Sequence, residues 1–302
     1  MKKVLTLVAI CLGSFSVANA QYEPEKGDFA VELGFTPFNT ESGEAFKLNE
    51  GMLKARYFIS DKNALRLKLG FGIDNSTNTV TNTADPIDKT VPYVAGETVT
   101  KTKEKNTNFS IMLGYERHLF TEGRFDVYAG IELGYMMNKF SGNQTVEGSY
   151  KSFDNKGIVD GTSTQKDNTD YTNRAIAKFD DDGNVLTSSN NFVGNLFAGV
   201  DVYVWRNLYL GAECGLGFKT GKSPNTYTSF DKFSATYKAN GELVNSTTQI
   251  WDGETQTGSI TNATATTSNT TPTGTGNSVC DETTNTSFKL YVEPAIRIGW
   301  RF

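Results

Sequence analysis

The side chains of this sequence that could do acid–base chemistry are few. His118 is the only histidine among 302 residues, and no serine stands near it to form the Ser–His pair of a nucleophilic enzyme. Glu116 and Glu132 lie on neighbouring predicted strands and have the residue types of a hydrolase carboxylate pair. Both share a strand face with arginines and lysines, so ion pairing is the simpler expectation. We therefore predict no catalytic residue and no enzyme activity.

Metal-binding and disulfide motifs are equally sparse. One histidine and three cysteines do not form a His-rich or CxxC zinc site. The acidic run at 180–183 (Asp-Asp-Asp-Gly) lacks the alternate acidic spacing and the distant glutamate of an EF-hand, which favours a solvated turn. Cys214 falls on a predicted strand and Cys280 in a predicted loop, so we expect no disulfide between them. No metal or cofactor is predicted.

The first twenty residues predict an export signal. Two lysines near the start precede the apolar residues 4–12, and Ala18 and Ala20 supply the small residues of a cleavage site. Removal of residues 1–20 leaves 27 basic against 34 acidic residues, a balance that disfavours a nucleic-acid partner. No later apolar run reaches the ~18 to 20 residues that a membrane-spanning helix requires.

The rest of the chain shows the period-two alternation of β-strands. In residues 125–136, apolar side chains occupy one face, and small or charged side chains such as Asp126 and Glu132 occupy the other. Eight segments of this kind are predicted, at about 28–35, 52–60, 64–73, 108–120, 125–136, 191–205, 208–219 and 287–302. The sequence therefore predicts an all-β protein.

The connections between these segments alternate in length. Tight turns are predicted at 61–63, 121–124 and 206–207, and loops of 16, 34, 54 and 67 residues at 36–51, 74–107, 137–190 and 220–286. Short turns at one rim and long loops at the other are typical of a transmembrane β-barrel. A soluble β-sandwich, with its apolar faces inward and its charged faces in water, is the competing interpretation.

Aromatic side chains mark both ends of the apolar faces, as they do at the two interfaces of a membrane. Those at the long-loop end are Phe35, Phe71, Phe109, Tyr135, Phe192, Phe218 and Phe288, and those at the short-turn end are Phe29, Tyr57, Phe125, Trp300 and Phe302. The ten steps from Phe125 to Tyr135 correspond to a height of about 25 Å at ~3.3 Å per residue and a tilt of about 40°. That is the height of an outer-membrane apolar band.

The opposite strand faces carry equal numbers of acidic and basic residues. The predicted lumen charges are Glu32, Lys54, Arg56, Arg66, Lys68, Glu116, Asp126, Glu132, Asp201, Glu213, Lys289, Glu293, Arg297 and Arg301. Such balance suits the packed interior of a narrow barrel, because an unpaired buried charge is costly. Many glycines on these faces agree with an interior that has room for few large side chains.

Together these features resemble the small eight-stranded outer-membrane β-barrel proteins of Gram-negative bacteria, the OmpA-type and OmpX-type barrels. The likeness includes the ending at 296–302, in which Ile298, Trp300 and Phe302 look like the signal that is recognised for insertion. The resemblance implies a barrel domain at 21–302 that is inserted by the outer-membrane assembly machinery. It also implies periplasmic termini and extracellular loops.

On this basis the sequence predicts an eight-stranded antiparallel up-and-down transmembrane barrel without enzyme activity. Charge pairs are expected to close its lumen, leaving a structural role in the bilayer and contact with an unknown extracellular ligand through the loops. The alternative is a narrow porin-like channel for ions or small solutes. Lipid A deacylases and palmitoyl transferases, which use this type of barrel, resemble one another in placing a His and a Ser near the outer leaflet, whereas His118 is predicted at the periplasmic end.

The long loops contain a repeated pattern of an aromatic residue, a glycine and an aliphatic residue. It occurs at 153–159, 179–185 and 237–243, and Asp-Gly and Asn-Gly pairs in the last two suit turns with positive φ. We predict hairpin tips there, on ribbons that extend the barrel strands. Residues 255–287, rich in Thr, Asn, Ser and Gly, are expected to be polar and mobile.

Overall fold

A computed structural model describes residues 24–37, 46–84, 93–179, 183–265, 268–272 and 282–302. The regular structure of these residues consists of fifteen strands. Among them, no helix is long and apolar enough to cross a membrane. The predicted export signal at 1–20, the acidic residues 180–182 and Cys280 lie outside the described residues.

The strands follow one another along the chain as an all-β series. They are β1 (Phe29–Pro37), β2 (Phe46–Ser60), β3 (Asn63–Ala84), β4 (Tyr93–Glu122), β5 (Phe125–Phe153), β6 (Val159–Thr172), β7 (Arg174–Phe179), β8 (Val185–Thr187), β9 (Ser189–Tyr203), β10 (Leu208–Ser223), β11 (Tyr227–Lys238), β12 (Leu243–Asp252), β13 (Thr257–Thr264), β14 (Ser268–Pro272) and β15 (Thr283–Arg301).

Eight of these strands are hydrogen bonded into a closed ring. The antiparallel ladders run from β1 through β2, β3, β4, β5, β9, β10 and β15 and back to β1. In the last ladder Ala30 is opposite Arg301 and Leu33 is opposite Ile298. Tight connections join β2 to β3, β4 to β5 and β9 to β10 at one end, which we call the lower end. Each segment that alternation predicted lies largely within one ring strand.

The connections predicted as long loops consist of strands over most of their described length, and at 137–190 and 220–286 this agrees with the predicted ribbons. The predicted loop at 74–107 is an extended hairpin in which β3 and β4 pair as far as Ala84 opposite Gly96. In the same way, 46–51 belongs to β2, and 137–190 and 220–286 contain strands. These segments are polar on both faces, so they lack the one-sided alternation that marks a half-buried strand. Their many threonines nevertheless favour extended backbone, because β-branched side chains fit a pleated sheet.

Beyond the ring, the strands continue into a second region that we call the upper sheet. It consists of the upper parts of β3, β4 and β5, followed by β6, β11, β12, β13 and β14 in that order. The three predicted hairpin tips are confirmed, since Phe153 pairs with Val159, Phe179 with Val185 and Tyr237 with Leu243. Within the stretch 255–287, which is expected to be mobile, β13 pairs with β12 along its length.

The ring strands turn their apolar side chains outward, and we call this side the outward face. Leu113 is 66% exposed and Leu216 58% exposed, whereas Glu116 on the other face of β4 is fully buried. A soluble sandwich buries its apolar faces between two sheets, so the sandwich interpretation was wrong. The ring instead buries charged side chains and exposes apolar ones. This arrangement is unfavourable in water and favourable in lipid.

The aromatic residues predicted at the two ends lie level with one another on the outward face. At the upper end Phe71 pairs with Phe109, and Tyr135 pairs with Phe192. At the lower end Phe29 pairs with Tyr57, and its ring centroid is 6.4 Å from that of Phe302. Other members of these sets are Phe218, which is half-buried, and Phe35 and Phe288, whose side chains lie outside the described residues.

Candidate functional site

Among the described side chains, the ring encloses a cluster of ten charged ones that we call the charged core. Every ring strand contributes at least one member, and none is more than 8% exposed. The members are Glu32 (β1), Lys54 and Arg56 (β2), Arg66 and Lys68 (β3), Glu116 (β4), Glu132 (β5), Asp201 (β9), Glu213 (β10) and Arg297 (β15). Strict alternation along each strand sends these side chains to the inside.

Arg66 joins four strands at the centre of the core. Its Nη1 and Nη2 donate hydrogen bonds of 2.9 and 2.8 Å to the two carboxylate oxygens of Glu213. Its Nε lies 3.0 Å from Oε2 of Glu132, and its Nη1 lies 3.7 Å from Oε2 of Glu116. The guanidinium also stacks over Phe197, 3.9 Å from the ring centroid. Bidentate pairing and stacking both require the planar arginine head group.

Arg56, which lies opposite Arg66 in the β2–β3 ladder, has a similar role toward other strands. Its Nε is 2.8 Å from Oε1 of Glu32 and 2.8 Å from Oε1 of Glu116, and its Nη1 donates to Oδ2 of Asp201. The guanidinium lies 4.5 Å from the ring centroid of Tyr128. One side chain of β2 is thereby tied to acids on β1, β4 and β9.

Arg297 and Lys54 complete the connections between the acids. Nη1 of Arg297 donates to Glu32 at 3.1 Å and to Glu213 at 3.3 Å, and Nη2 lies 3.5 Å from Asp201. Nζ of Lys54 is 3.1 Å from Glu32 and 3.4 Å from Glu213. Each carboxylate therefore bridges two or more cations.

The charged core is electrically neutral when all its members are ionised. Lys68 extends it through Glu132, at 3.7 Å, so each of the five acids and five bases has a partner of opposite sign. Mutual pairing compensates the high cost of removing charges from water, whereas any single deletion leaves a buried charge uncompensated.

Polar side chains that the sequence prediction missed complete the core. The Tyr128 hydroxyl donates to Glu213 and accepts from Arg297, and the Tyr209 hydroxyl donates to Glu32 at 2.9 Å. Nδ2 of Asn195 donates to Oε1 of Glu132 at 2.6 Å. The prediction selected residues by charge, although the same alternation already placed these uncharged side chains inward.

Glycines leave the space that the core requires. A Cβ added at Gly211 would lie 2.2 Å from Oδ1 of Asp201 and 2.8 Å from Nη2 of Arg297. A Cβ added at Gly299 would lie 2.1 Å from the ring of Tyr209. The contacts of Asp201 with Arg297 and of Tyr209 with Glu32 therefore require glycine at these two positions.

Two of the other four predicted lumen residues, Asp126 and Arg301, lie outside this cluster. Asp126 is buried and pairs with His118, whose Nδ1 is 2.7 and 2.9 Å from its carboxylate oxygens. Arg301 lies near the lower end, with its Nε 3.5 Å from Asp28. The side chains of Lys289 and Glu293 lie outside the described residues.

The geometry around His118 is that of a packed side chain. Its ring packs between Phe58 and Tyr128, with centroid distances of 5.0 and 5.6 Å, and its Nε2 has no hydrogen-bond partner among the described residues. Glu116 and Glu132, the other candidates for acid–base chemistry, are both engaged by Arg66. All three residues lie inside the ring. Their described contacts include no nucleophile that one of them could activate.

Two further sequence candidates are placed on the outward face. Cys214 is a free, exposed cysteine of β10. Ile298, Trp300 and Phe302 of the terminal segment are all exposed beside β1. Within the described part of the chain, no group of three or more His, Cys, Asp or Glu side chains could hold a metal ion.

Comparison with known proteins assigns the family. A family model described as the outer membrane protein beta-barrel domain matches residues 7–214, which is more than half of the chain. The chain therefore belongs to this family, and its bilayer is the outer membrane. A search of the curated proteins finds no match.

Proposed function

We propose that this member of the outer-membrane β-barrel family is an eight-stranded barrel with a closed lumen, serving structural and surface-interaction roles. The ring of eight ladders would be the membrane-spanning unit, and its outward apolar side chains would face the lipid. The height of about 25 Å between the aromatic levels fits an outer-membrane apolar band.

The observation that carries the proposal is the neutral, fully paired core. It takes members from every strand of the ring, and its guanidinium and carboxylate groups are buried by one another and by tyrosines. Ions passing along this axis would have to break several of these pairs at once. A conducting pore instead keeps its lining charges in contact with water.

The upper sheet supplies the surface role. We place it outside the cell and both termini in the periplasm, since Phe29 and Phe302 meet at the lower end with the tight turns. The exposed terminal residues Ile298, Trp300 and Phe302 would be read by the assembly machinery during insertion. No catalytic role is proposed for His118.

Single-channel recording of the refolded mature protein in a planar bilayer tests the closed lumen. Slower migration of boiled than of unheated protein on a gel would first establish that a barrel has formed. We expect no discrete steady conductance from the folded protein. Steady conductance that changes in the Arg66→Gln and Arg297→Gln variants would instead support a narrow channel.

A further inference from the structure

We propose that the outward face of β4, together with its neighbours, binds the phosphorylated sugar headgroup of an outer-leaflet glycolipid. Four lysines carry the site: Lys101, Lys103 and Lys105 of β4 and Lys139 of β5. We call them the lysine ladder. Its place in the outer leaflet rests on the orientation proposed above, whereas its binding chemistry does not.

The strand register fixes the height of each lysine above the upper aromatic level. On the outward face, the row that contains Phe109 is followed by rows containing Lys139, Lys105, Lys103 and Lys101 in turn. Successive rows are two residues apart, or about 5 Å in height at ~3.3 Å per residue and a tilt of about 40°. The ladder therefore rises from about 5 to about 20 Å above the aromatic level.

All four lysines are exposed on a face that continues the lipid-facing surface of the ring. None forms an ion pair within the described part of the chain, although other exposed lysines do, such as Lys238 with Glu242. Cationic side chains at a membrane surface attract anionic headgroups. Their position and free charge thus fit a phosphate-bearing lipid.

A groove between two rows of side chains gives the ladder a shaped site. Its volume is about 530 Å³, and its walls include Lys103, Lys105, Asn75, Asn143 and Asp170. Side chains of the row between point to the other face, as Glu104 does when it accepts hydrogen bonds from two backbone amides of β7. The floor of the groove is therefore backbone.

The lining favours a sugar headgroup over a small phospholipid headgroup. Amides and hydroxyls stand beside the lysines, and the Asp170 carboxylate, which accepts from Nδ2 of Asn143 at 2.6 Å, retains lone pairs for a sugar hydroxyl. A phospholipid headgroup region is only about 5 to 8 Å deep on each side of a bilayer. Lys105, Lys103 and Lys101 stand above that depth, where only a larger headgroup reaches.

Native mass spectrometry of the full chain in detergent, with bisphosphorylated lipid A as the probe, tests the proposal. We expect wild-type protein to retain lipid A and a K101Q/K103Q/K105Q/K139Q variant to bind it at least tenfold more weakly. The control K26Q/K62Q removes two exposed lysines at the lower end, remote from the ladder, and should bind like wild type. Heat-modified gel mobility shows whether each variant has folded.

Three results would overturn the proposal. They are unchanged binding by the quadruple variant, equal binding of dephosphorylated lipid A, and equal binding of phosphatidylglycerol, which would mean unspecific attraction of anionic lipid. Binding in detergent does not depend on which way the barrel faces. A wrong orientation would be revealed separately by labelling of intact cells, so the failure of the two proposals can be told apart.

Discussion

At the scale of single residues, the charged core consists of ion pairs that have little access to water. Such pairs contribute modestly to stability as a whole, since desolvation opposes Coulomb attraction. Removing one partner costs much more than the intact pair contributes, because the other charge is then left buried and uncompensated. Arg66 is the strongest case, as it contacts Glu213, Glu132 and Glu116 together.

Replacing Arg66 by Met should lower the free energy of unfolding by about 3 to 5 kcal/mol, the usual cost of breaking a buried pair. Urea unfolding of the refolded protein in detergent micelles, followed by gel mobility, measures it. Lys151→Met, on an exposed side chain of the upper sheet, is the control and should change little. A double variant with Glu213→Gln should lose less than the two single losses added, and strict additivity would contradict the pairing.

Gly211→Ala should destabilise the barrel without removing any charge. The new Cβ would overlap Asp201 Oδ1, so that side chain and Arg297 must move apart. Overpacking of this kind costs about 1 to 3 kcal/mol. The neighbouring Ala212→Val substitution faces outward and should leave the unfolding midpoint nearly unchanged. Equal stability of the Gly211→Ala variant and wild type would show that the core relaxes freely.

At the scale of elements, a hairpin tip can hold an ion pair between its own residues. At the tip between β11 and β12, Gly241 has a φ of 82°, which an L side chain rarely adopts. The hydrogen bond from Nζ of Lys238 lowers the pKa of Glu242, and the Asn240 amide adds to this effect. The stabilisation is present while Glu242 is ionised and is lost as pH falls through its lowered pKa.

Lys238→Ala should therefore raise the pKa of Glu242 towards its ordinary value of 4.5. NMR titration of the glutamate side chain in the refolded protein measures the change. Lys232→Ala provides the comparison, because Lys232 lies over the ring of Phe230 in the preceding part of β11. The ion pair would be dismissed if both variants gave the same pKa for Glu242, or if added salt did not weaken the shift.

The sequence predicted the elements whose two faces differ and missed those whose faces are alike. Alternation located each ring strand, because lipid on one side and a packed interior on the other impose opposite chemistry on successive residues. Alternation did not predict the strands above the aromatic level, because β3 and β4 are polar on both faces there. Hairpin tips were still predictable, since a glycine with positive φ is a local requirement.

The charged core was predictable as a set of residues, but its pairings were not. Period two assigned Arg56 and Arg66 to the interior, yet which carboxylate each one meets depends on the register and on side-chain length. The hydroxyls of Tyr128 and Tyr209 were missed because they carry no charge. The groove at Lys103 and Lys105 was also missed, since it exists only where β4, β5 and β6 lie side by side.

At the scale of the whole molecule, the ring and the upper sheet differ in the chemistry of their surfaces. The ring presents hydrocarbon outward and neutralised charge inward, which suits a bilayer at every height between the aromatic levels. The upper sheet is polar on both faces and continues the same ladders away from the membrane. Because shared strands connect the two parts, the orientation of the ring decides on which side of the membrane the upper sheet stands.

Cysteine labelling of intact cells tests that orientation. In a background with Cys214→Ser and Cys280→Ser, a cysteine introduced by Asn240→Cys at the β11–β12 tip should react with a membrane-impermeant maleimide. Lys62→Cys, in the tight turn between β2 and β3, should react only after the outer membrane is broken. Both positions are exposed in the fold, so a difference between them reports on the membrane and not on burial. Reversed labelling would place the upper sheet in the periplasm and remove the outer-leaflet setting of the lysine ladder, while its affinity for a phosphorylated headgroup in detergent would stand.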